Sequence, residues 1–308
     1  MIRVFIDGAA GTTGLEIHER LARRTDLSVV ALDEARRKDP AARAETLNDA
    51  DFVILCLPDE AAREAVALIR NDRTRVIDAS SAHRVAEGWT YGFPELEPDG
   101  AERIARAARV SNPGCYPTGF LALVRPLVRE GLIPAGWPLT VNAVSGYSGG
   151  GKALIERFAD APDLAFRAYA FDLAHKHVPE MRLHAGLAHP PVFAPNVSRA
   201  YRGMIVEVPL PLSAMPGRPS PAALLGALQA AYQDQSLVRV HDDHPGELLM
   251  RADAPPSDRV DLYVFAGSDG AQARLVATLD NLGKGAGGAA VQNLNLMAGL
   301  DPLAGLIL

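Results

Sequence analysis

Short apolar runs alternate with helix-length amphipathic stretches through the first third of the chain, and alternating apolar positions dominate its second half. Arg3 to Asp7 reads as a strand. A helix from about Leu15 to Arg24 follows, with Leu15, Ile17, Leu21 and Ala22 on its inner side, and Ser28 to Leu32 forms a second strand. Asp51 to Leu57 and Arg75 to Asp78 are two more strands, separated by a helix from about Glu60 to Arg70. Farther on, Leu139 to Val144, Tyr201 to Leu212, Val238 to Val240, Leu262 to Phe265 and Ala273 to Leu279 alternate as sheet strands do. A helix from about Pro221 to Asp234 interrupts them. Proline clusters at Pro190-Pro191, Pro209 to Pro219 and Pro255-Pro256 predict loops or strand edges. The Gly-rich turn from Asn281 to Gly288 opens a last helix. There is no internal repeat.

Between the first strand and the first helix lies Gly8-Ala9-Ala10-Gly11-Thr12-Thr13-Gly14. Strand, glycine loop, helix and strand in that order make a dinucleotide site. Gly8 permits a sharp turn, Gly11 lets backbone approach a pyrophosphate, and Gly14 allows close helix–strand packing, with Thr12 and Thr13 at the helix N-terminus that faces the phosphates. The spacing is G-x-x-G-x-x-G, not the commoner G-x-G-x-x-G. Asp33-Glu34, after the second strand, could bind a ribose hydroxyl and favour NAD; Arg36-Arg37-Lys38 could bind a 2′-phosphate and favour NADP. Strand C-terminal ends line the ligand crevice of a doubly wound sheet, so Pro58, Ser80, Ser81 and Arg84 are expected to face cofactor or substrate. Arg84 could grip a phosphate or carboxylate in bidentate fashion.

Composition narrows the function. The chain has 308 residues, enough for two domains or one large one, and its 48% hydrophobic and 22% charged content is ordinary for a globular protein. No run approaches a membrane span of roughly 20 apolar residues, and the N-terminus reads as a strand, not a signal peptide. A net charge of −6 gives a nucleic-acid partner no bulk electrostatic support. Two cysteines in unlike settings fit a reducing, cytoplasmic compartment, and no four-ligand metal spacing appears.

Cys56 sits in an apolar strand and reads as an inert core thiol. Cys115 is different. Ser111-Asn112-Pro113-Gly114-Cys115-Tyr116-Pro117-Thr118-Gly119 delivers a lone cysteine through a tight turn to the head of an apolar run. At a helix N-terminus, unpaired backbone N–H groups favour the thiolate, which is the nucleophilic form. His175-Lys176-His177-Val178-Pro179-Glu180 is the best source of an acid–base group. Its two histidines, two apart, could share one face of a strand, and with no third ligand evident a metal is not expected. Ser145-Gly146-Tyr147-Ser148-Gly149-Gly150-Gly151-Lys152 is rich in backbone N–H groups and could hold an anion, with Ser145 and Gly146 as candidate substrate contacts. It lacks the spacing of a P-loop.

Together these motifs, with Tyr91-Gly92-Phe93-Pro94-Glu95-Leu96 and the run from Lys284 to Asn293, resemble the N-acetyl-gamma-glutamyl-phosphate reductases of arginine biosynthesis, in their shorter form. The resemblance runs nearly end to end. The cysteine motif alone is shared with aspartate-semialdehyde dehydrogenase. The resemblance implies an α/β protein: a Rossmann-like, doubly wound NADP-binding domain over residues 1–115, joined by a C-terminal helix at about 286–308, and an α+β catalytic and dimerisation domain with a mixed sheet over 116–285. It implies NADP(H), an acyl-phosphate substrate, and a homo-oligomer, dimer or tetramer. By the same resemblance Cys115 is the nucleophile and His177 the acid–base. Glu180 and Tyr169 orient the histidine or the substrate, Gln292 lies near the nicotinamide or thioester, and Arg84 binds the acyl phosphate. Asp33-Glu34 departs from the Ser/Thr-Arg pattern of the longer form.

Overall fold

The structure is a computed structural model that describes residues 1–32, 36 and 39–308. Asp33, Glu34, Arg37 and Lys38, which bear on the choice between NAD and NADP, lie outside the described residues. The chain divides into two compact units: 1–94, 99–113 and 286–306 form the first, and 95–98, 114–285 and 307–308 the second.

The first unit is built on β1 (Ile2–Asp7), α1 (Thr12–Leu21), β2 (Leu27–Val30), α2 (Pro40–Asp49), β3 (Phe52–Leu55), α3 (Asp59–Leu68), β4 (Arg75–Asp78), β5 (Thr90–Tyr91), α4 (Gly100–Arg106) and β6 (Arg109–Ser111). Its six strands pair in the order β2-β1-β3-β4-β6-β5, all parallel. Period-two alternation sends side chains to both faces, and both faces are covered. Val4, Ile6, Phe52, Ile54 and Ile77 join Ile17, Leu21 and Ile104 in one core, together with Val291 and Leu294 from the last helix. Phe5, Val53, Leu55 and Val76 join Leu47, Ala62 and Ala65 in the other.

The first helix starts three residues earlier than its pattern predicts, and its inner side differs. Gly14, Ile17, Arg20 and Leu21 are buried, Leu15 is 49% exposed, and Ala22 is exposed. A Cβ on Gly14 would lie 2.4 Å from the Gly8 carbonyl oxygen, so the glycine is pressed against the loop and the helix is turned accordingly. Arg20, thereby buried, pairs with Glu16 at 3.0 Å.

The second unit comprises α5 (Cys115–Arg129), β7 (Thr140–Gly146), α6 (Gly151–Asp160), β8 (Phe166–Ala168), α7 (Val178–Ala185), β9 (Val192–Ser198), β10 (Met204–Leu210), α8 (Pro221–Tyr232), β11 (Val238–Val240), β12 (Val260–Ala266) and β13 (Ala273–Leu279). Its seven strands run β11-β12-β13-β10-β7-β9-β8, a mixed sheet in which β7/β9 and β11/β12 are parallel and the other pairs antiparallel. α5 lies on this sheet with Phe120, Leu123, Val124 and Leu127 fully buried. Its approach is close because Gly119 has no side chain: a Cβ there would lie 2.9 Å from Val206 Cγ2. α8 packs beside it, and Tyr232 Oη donates to the Ala122 carbonyl at 2.9 Å. The last helix, α9 (Gly288–Ala298), belongs to the first unit.

Gly226 sits exposed within α8, and a Cβ there would meet nothing within 4 Å. Gly226→Ala is therefore expected to stabilise the protein by about 0.5–1 kcal/mol, through reduced freedom of the unfolded chain and better helix propensity. A urea unfolding curve with an unchanged or lower midpoint would contradict this.

Candidate active site

In the first unit the glycine loop has the geometry a dinucleotide needs. Gly8 adopts φ +91°, and a Cβ on it would lie 2.3 Å from the Cys56 carbonyl oxygen, so only glycine fits. Gly11 caps α1 at its N-terminus, and no side chain caps the helix. A Cβ on Gly11 would be no nearer than 3.4 Å to the protein, so packing within the chain does not demand glycine there. Thr12, Thr13 and Gly14 form the first turn, which carries no acid. A pyrophosphate fits such a helix terminus.

Beyond β4, Asp78 is fully buried and accepts from Ser80 N–H at 2.9 Å and Ser80 Oγ at 2.7 Å, and lies 2.6 Å from His83 Nδ1. His83 stacks on Trp89 with ring centroids 4.1 Å apart. Ser80 thus spends its hydroxyl within the protein. Arg84 is buried and donates from Nε to the Asn112 carbonyl and from Nη2 to the Ala79 carbonyl, each at 3.0 Å, bracing the ends of β4 and β6. Gln292 is buried on α9. Its neighbour Asn293 donates to Gly92 O at 2.9 Å and Asn112 Oδ1 at 3.0 Å, and Asn112 donates to Ala286 O at 2.9 Å. These asparagines explain why Gly92 lacks a side chain: a Cβ there would lie 2.4 Å from Asn293 Nδ2.

In the second unit Cys115 is the first residue of the 15-residue helix α5, after Gly114, with no acid in the first turn of α5. The aligned peptide dipoles there favour a thiolate. Thr118 N–H and Thr118 Oγ1 both donate to the Gly114 carbonyl at 2.9 Å, closing the turn. Gly114 N–H donates to Glu180 Oε1 at 2.8 Å, and Glu180 is 1% exposed.

The His-Lys-His segment is not a strand. It turns into α7, where His177 is the N-cap, Pro179 stands in the first turn, and Gly186 ends the helix with φ +75°. His177 is 6% exposed. Its N–H donates to His175 Nδ1 at 3.1 Å, so the neutral His175 ring carries its proton on Nε2, which faces Tyr169 Oη at 3.3 Å. The His175 and His177 rings meet edge-on at 4.7 Å, and Tyr116 is 5.8 Å from the His177 ring. Tyr116 Oη donates to Asn196 O at 2.8 Å. Burial pushes the Tyr116 and Tyr169 phenols upward, and negative charge on Cys115 adds to this in both. Both phenols therefore stay neutral, and the Tyr116 proton is already given to Asn196 O.

Cys115, His177, Tyr169 and Glu180 thus gather in one cluster, which His175 and Tyr116 complete. Neither of the last two stands out in sequence as more than part of its motif. Ser145 is buried on β7 and donates to Gly146 O at 3.0 Å. Gly146 is glycine for packing: a Cβ there would lie 2.6 Å from Tyr201 O. The Gly-rich stretch is a 3-10 turn (Tyr147–Gly150) leading into α6, with Lys152 exposed on it.

Residues 3–104 match the family described as "Semialdehyde dehydrogenase, NAD binding domain", and residues 115–281 match "Semialdehyde dehydrogenase, dimerisation domain". The chain is 49% identical to an N-acetyl-gamma-glutamyl-phosphate reductase of Trichormus variabilis over 99% of both chains, and 52% identical to N-acetyl-gamma-glutamyl-phosphate reductase 2 of Pseudomonas putida over 96% of both. The chain belongs to the N-acetyl-gamma-glutamyl-phosphate reductase family. Its fold is that of the wider semialdehyde dehydrogenase group: a probable aspartate-semialdehyde dehydrogenase of Pseudomonas aeruginosa superposes with a TM-score of 0.70 over 96% of this chain and 98% of its own, at 18% identity. Membership of the reductase family bears out the resemblance that the cysteine, histidine and Lys284–Asn293 motifs carry.

The two thiols of this reductase-family chain differ sharply. Burial, then the charges of Asp78 and Asp7, push the Cys56 thiol up to about 12. At pH 8 only about one Cys56 in 10⁴ is then ionised. Iodoacetamide at pH 8 is expected to place one adduct per native chain, on Cys115. Comparable labelling rates at both positions, read by peptide mass spectrometry, would refute this.

Proposed function

We propose that this chain reduces N-acetyl-gamma-glutamyl phosphate to N-acetylglutamate 5-semialdehyde and phosphate, with NADPH as reductant and Cys115 as nucleophile. The observation that carries the reading is a cysteine heading a long helix beside a buried histidine and two neutral phenols, in a chain about half identical to reductases of that name.

In this reading the Cys115 thiolate attacks the acyl carbon, the C–O bond to phosphate breaks, and phosphate leaves with that electron pair. The acyl group remains on sulfur as a thioester, so one difficult substitution becomes two easier steps. Gly8 to Gly14 would hold the pyrophosphate of NADPH, a cofactor whose chemistry would be hydride donation to the thioester. Backbone N–H groups at the start of α5, and the Tyr169 hydroxyl, are the donors available to the oxyanion. Collapse of the thiohemiacetal breaks the C–S bond, releases the aldehyde and returns the electron pair to Cys115. His177 takes the thiol proton at the start and meets the proton demand of the oxyanion. Arg84 is proposed to bind the acyl phosphate, and Ser80 and Gln292 are proposed as cofactor contacts. The protein is proposed to work in the cytoplasm as a homo-oligomer, dimer or tetramer, which light scattering on the purified enzyme checks.

The reaction is tested in reverse. N-acetylglutamate semialdehyde, phosphate and NADP⁺ should yield NADPH, with aspartate semialdehyde turned over far more slowly. Equal turnover of the two aldehydes, or oxidation that does not depend on phosphate, would sink the proposal.

A further inference from the structure

The turn from Asp280 to Gly285 is braced on every side. Lys284 is 1% exposed, and its Nζ donates to both carboxylate oxygens of buried Glu95, at 2.9 and 2.7 Å. Asp280 Oδ2 pairs with Arg202 at 2.9 Å, and Oδ1 accepts from Leu282 N–H at 2.9 Å. Asn281 Oδ1 accepts from Gly203 N–H at 3.0 Å, and Nδ2 donates to Ser148 Oγ at 2.9 Å. Behind the turn, a Cβ on Gly283 would lie 1.9 Å from the Ser257 carbonyl oxygen, so the segment is held tight there as well.

The front of this turn is Gly285, and it faces the cysteine. A Cβ on Gly285 would lie 2.9 Å from Cys115 Cβ, 3.0 Å from Asp280 O and 3.3 Å from Cys115 Cα. Because Asp280 and Lys284 cannot retreat without breaking buried ion pairs, any added atom must displace Cys115. The other constraint is Glu180, whose carboxylate holds Gly114 N–H, one residue before the cysteine, in a charge-assisted bond. Glu180 stands in the first turn of the helix that His177 caps. Its bond therefore sets the register of the histidine-bearing helix α7 against the cysteine-bearing helix α5.

We propose that Gly285 and Glu180 are positioning residues that aim Cys115 Sγ, Gly285 by leaving room at Cβ and Glu180 by pegging the preceding peptide. The inference rests on Cys115 being the nucleophile. It assigns Glu180 to the enzyme's own backbone instead of to the substrate, and it gives a task to a glycine that sequence reading places only in a turn. Misplacement of a reacting atom by a fraction of an ångström lowers the rate of the chemical step without weakening ground-state binding.

The experiment compares Gly285→Ala, Glu180→Ala and Glu180→Gln with Gly136→Ala, where a Cβ meets nothing within 4 Å. Steady-state constants, NADPH affinity, melting temperature and the rate of Cys115 alkylation are measured on each. Gly285→Ala and Glu180→Ala are expected to lose roughly tenfold or more in kcat, with KM and NADPH affinity within about twofold of wild type. Their alkylation rates should shift as well. Glu180→Gln keeps an acceptor oxygen for Gly114 N–H and should recover most of kcat, and Gly136→Ala should behave as wild type. Wild-type kcat in a folded Gly285→Ala protein overturns the proposal. So does equal impairment of Glu180→Gln and Glu180→Ala with a raised KM, which marks a substrate contact. If Gly285→Ala does not fold, the Glu180 pair decides. Failure of the nucleophile reading is seen separately, as turnover surviving in Cys115→Ser.

Discussion

Cys115→Ser is expected to lower turnover by on the order of 10³-fold or more while leaving NADPH affinity nearly unchanged. A serine hydroxyl is far less acidic than a thiol, whose free pKa is about 8.5, and the α5 N-terminus cannot make up that difference at neutral pH. The serine also keeps the size of the side chain at a position packed against Gly285, so the fold is not at stake. NADPH affinity should be spared because the glycine loop lies in the other compact unit. The decisive measurement omits reductant. Substrate mixed with wild-type protein should leave an acyl adduct on the Cys115 peptide, and the Ser variant should leave none. An adduct elsewhere, or substantial turnover by the variant, ends the nucleophile assignment.

His177→Asn should cost roughly 100-fold in kcat, the usual scale for a lost acid–base group. His177 makes no side-chain capping bond at the α7 N-terminus and asparagine is a favourable residue there, so the helix should persist and Glu180 should still reach Gly114. What disappears is a group able to take and return a proton near neutral pH. The pH–rate profile is therefore expected to lose the inflection that His177 contributes, and the variant's rate should rise with pH as thiolate forms unaided. A profile superimposable on that of wild type would falsify the role of His177. His175 offers no replacement, since its Nδ1 accepts from the His177 backbone and the protonated ring would lose that bond.

Much of the fold is legible because burial on both faces of a parallel sheet writes apolar runs that need no tertiary information to be recognised. β4, β11 and β13 have the bounds their patterns predict. Other elements are hidden for identifiable reasons. β9 carries Pro195 within its span, and its ladder to β8 reaches only Asn196 to Ser198, so the proline is tolerated there although it breaks the strand signal in sequence. α2 has three alanines and a single leucine among its ten residues, with little apolar periodicity. Its start is nevertheless marked by Asp39, whose side chain accepts from Ala41 N–H at 2.9 Å, and by Pro40 in the first turn. The His-x-His spacing reads as a strand face only if Pro179, Glu180 and Gly186 are passed over as helix start and stop signals.

Sequence alone determined the family and the candidate chemistry: a thiol at the head of a helix, an imidazole in a motif, and a glycine loop between a strand and a helix. Those are local properties, set by residue type and by neighbours a few positions away. Only the tertiary structure decided which groups face one another. Glu180 finds the Gly114 peptide across 66 positions of chain. Lys284 finds Glu95 across 189, and Gly285 abuts Cys115. Such pairings follow from how close-packed helices and strands exclude volume from one another, and no short window of sequence contains both partners.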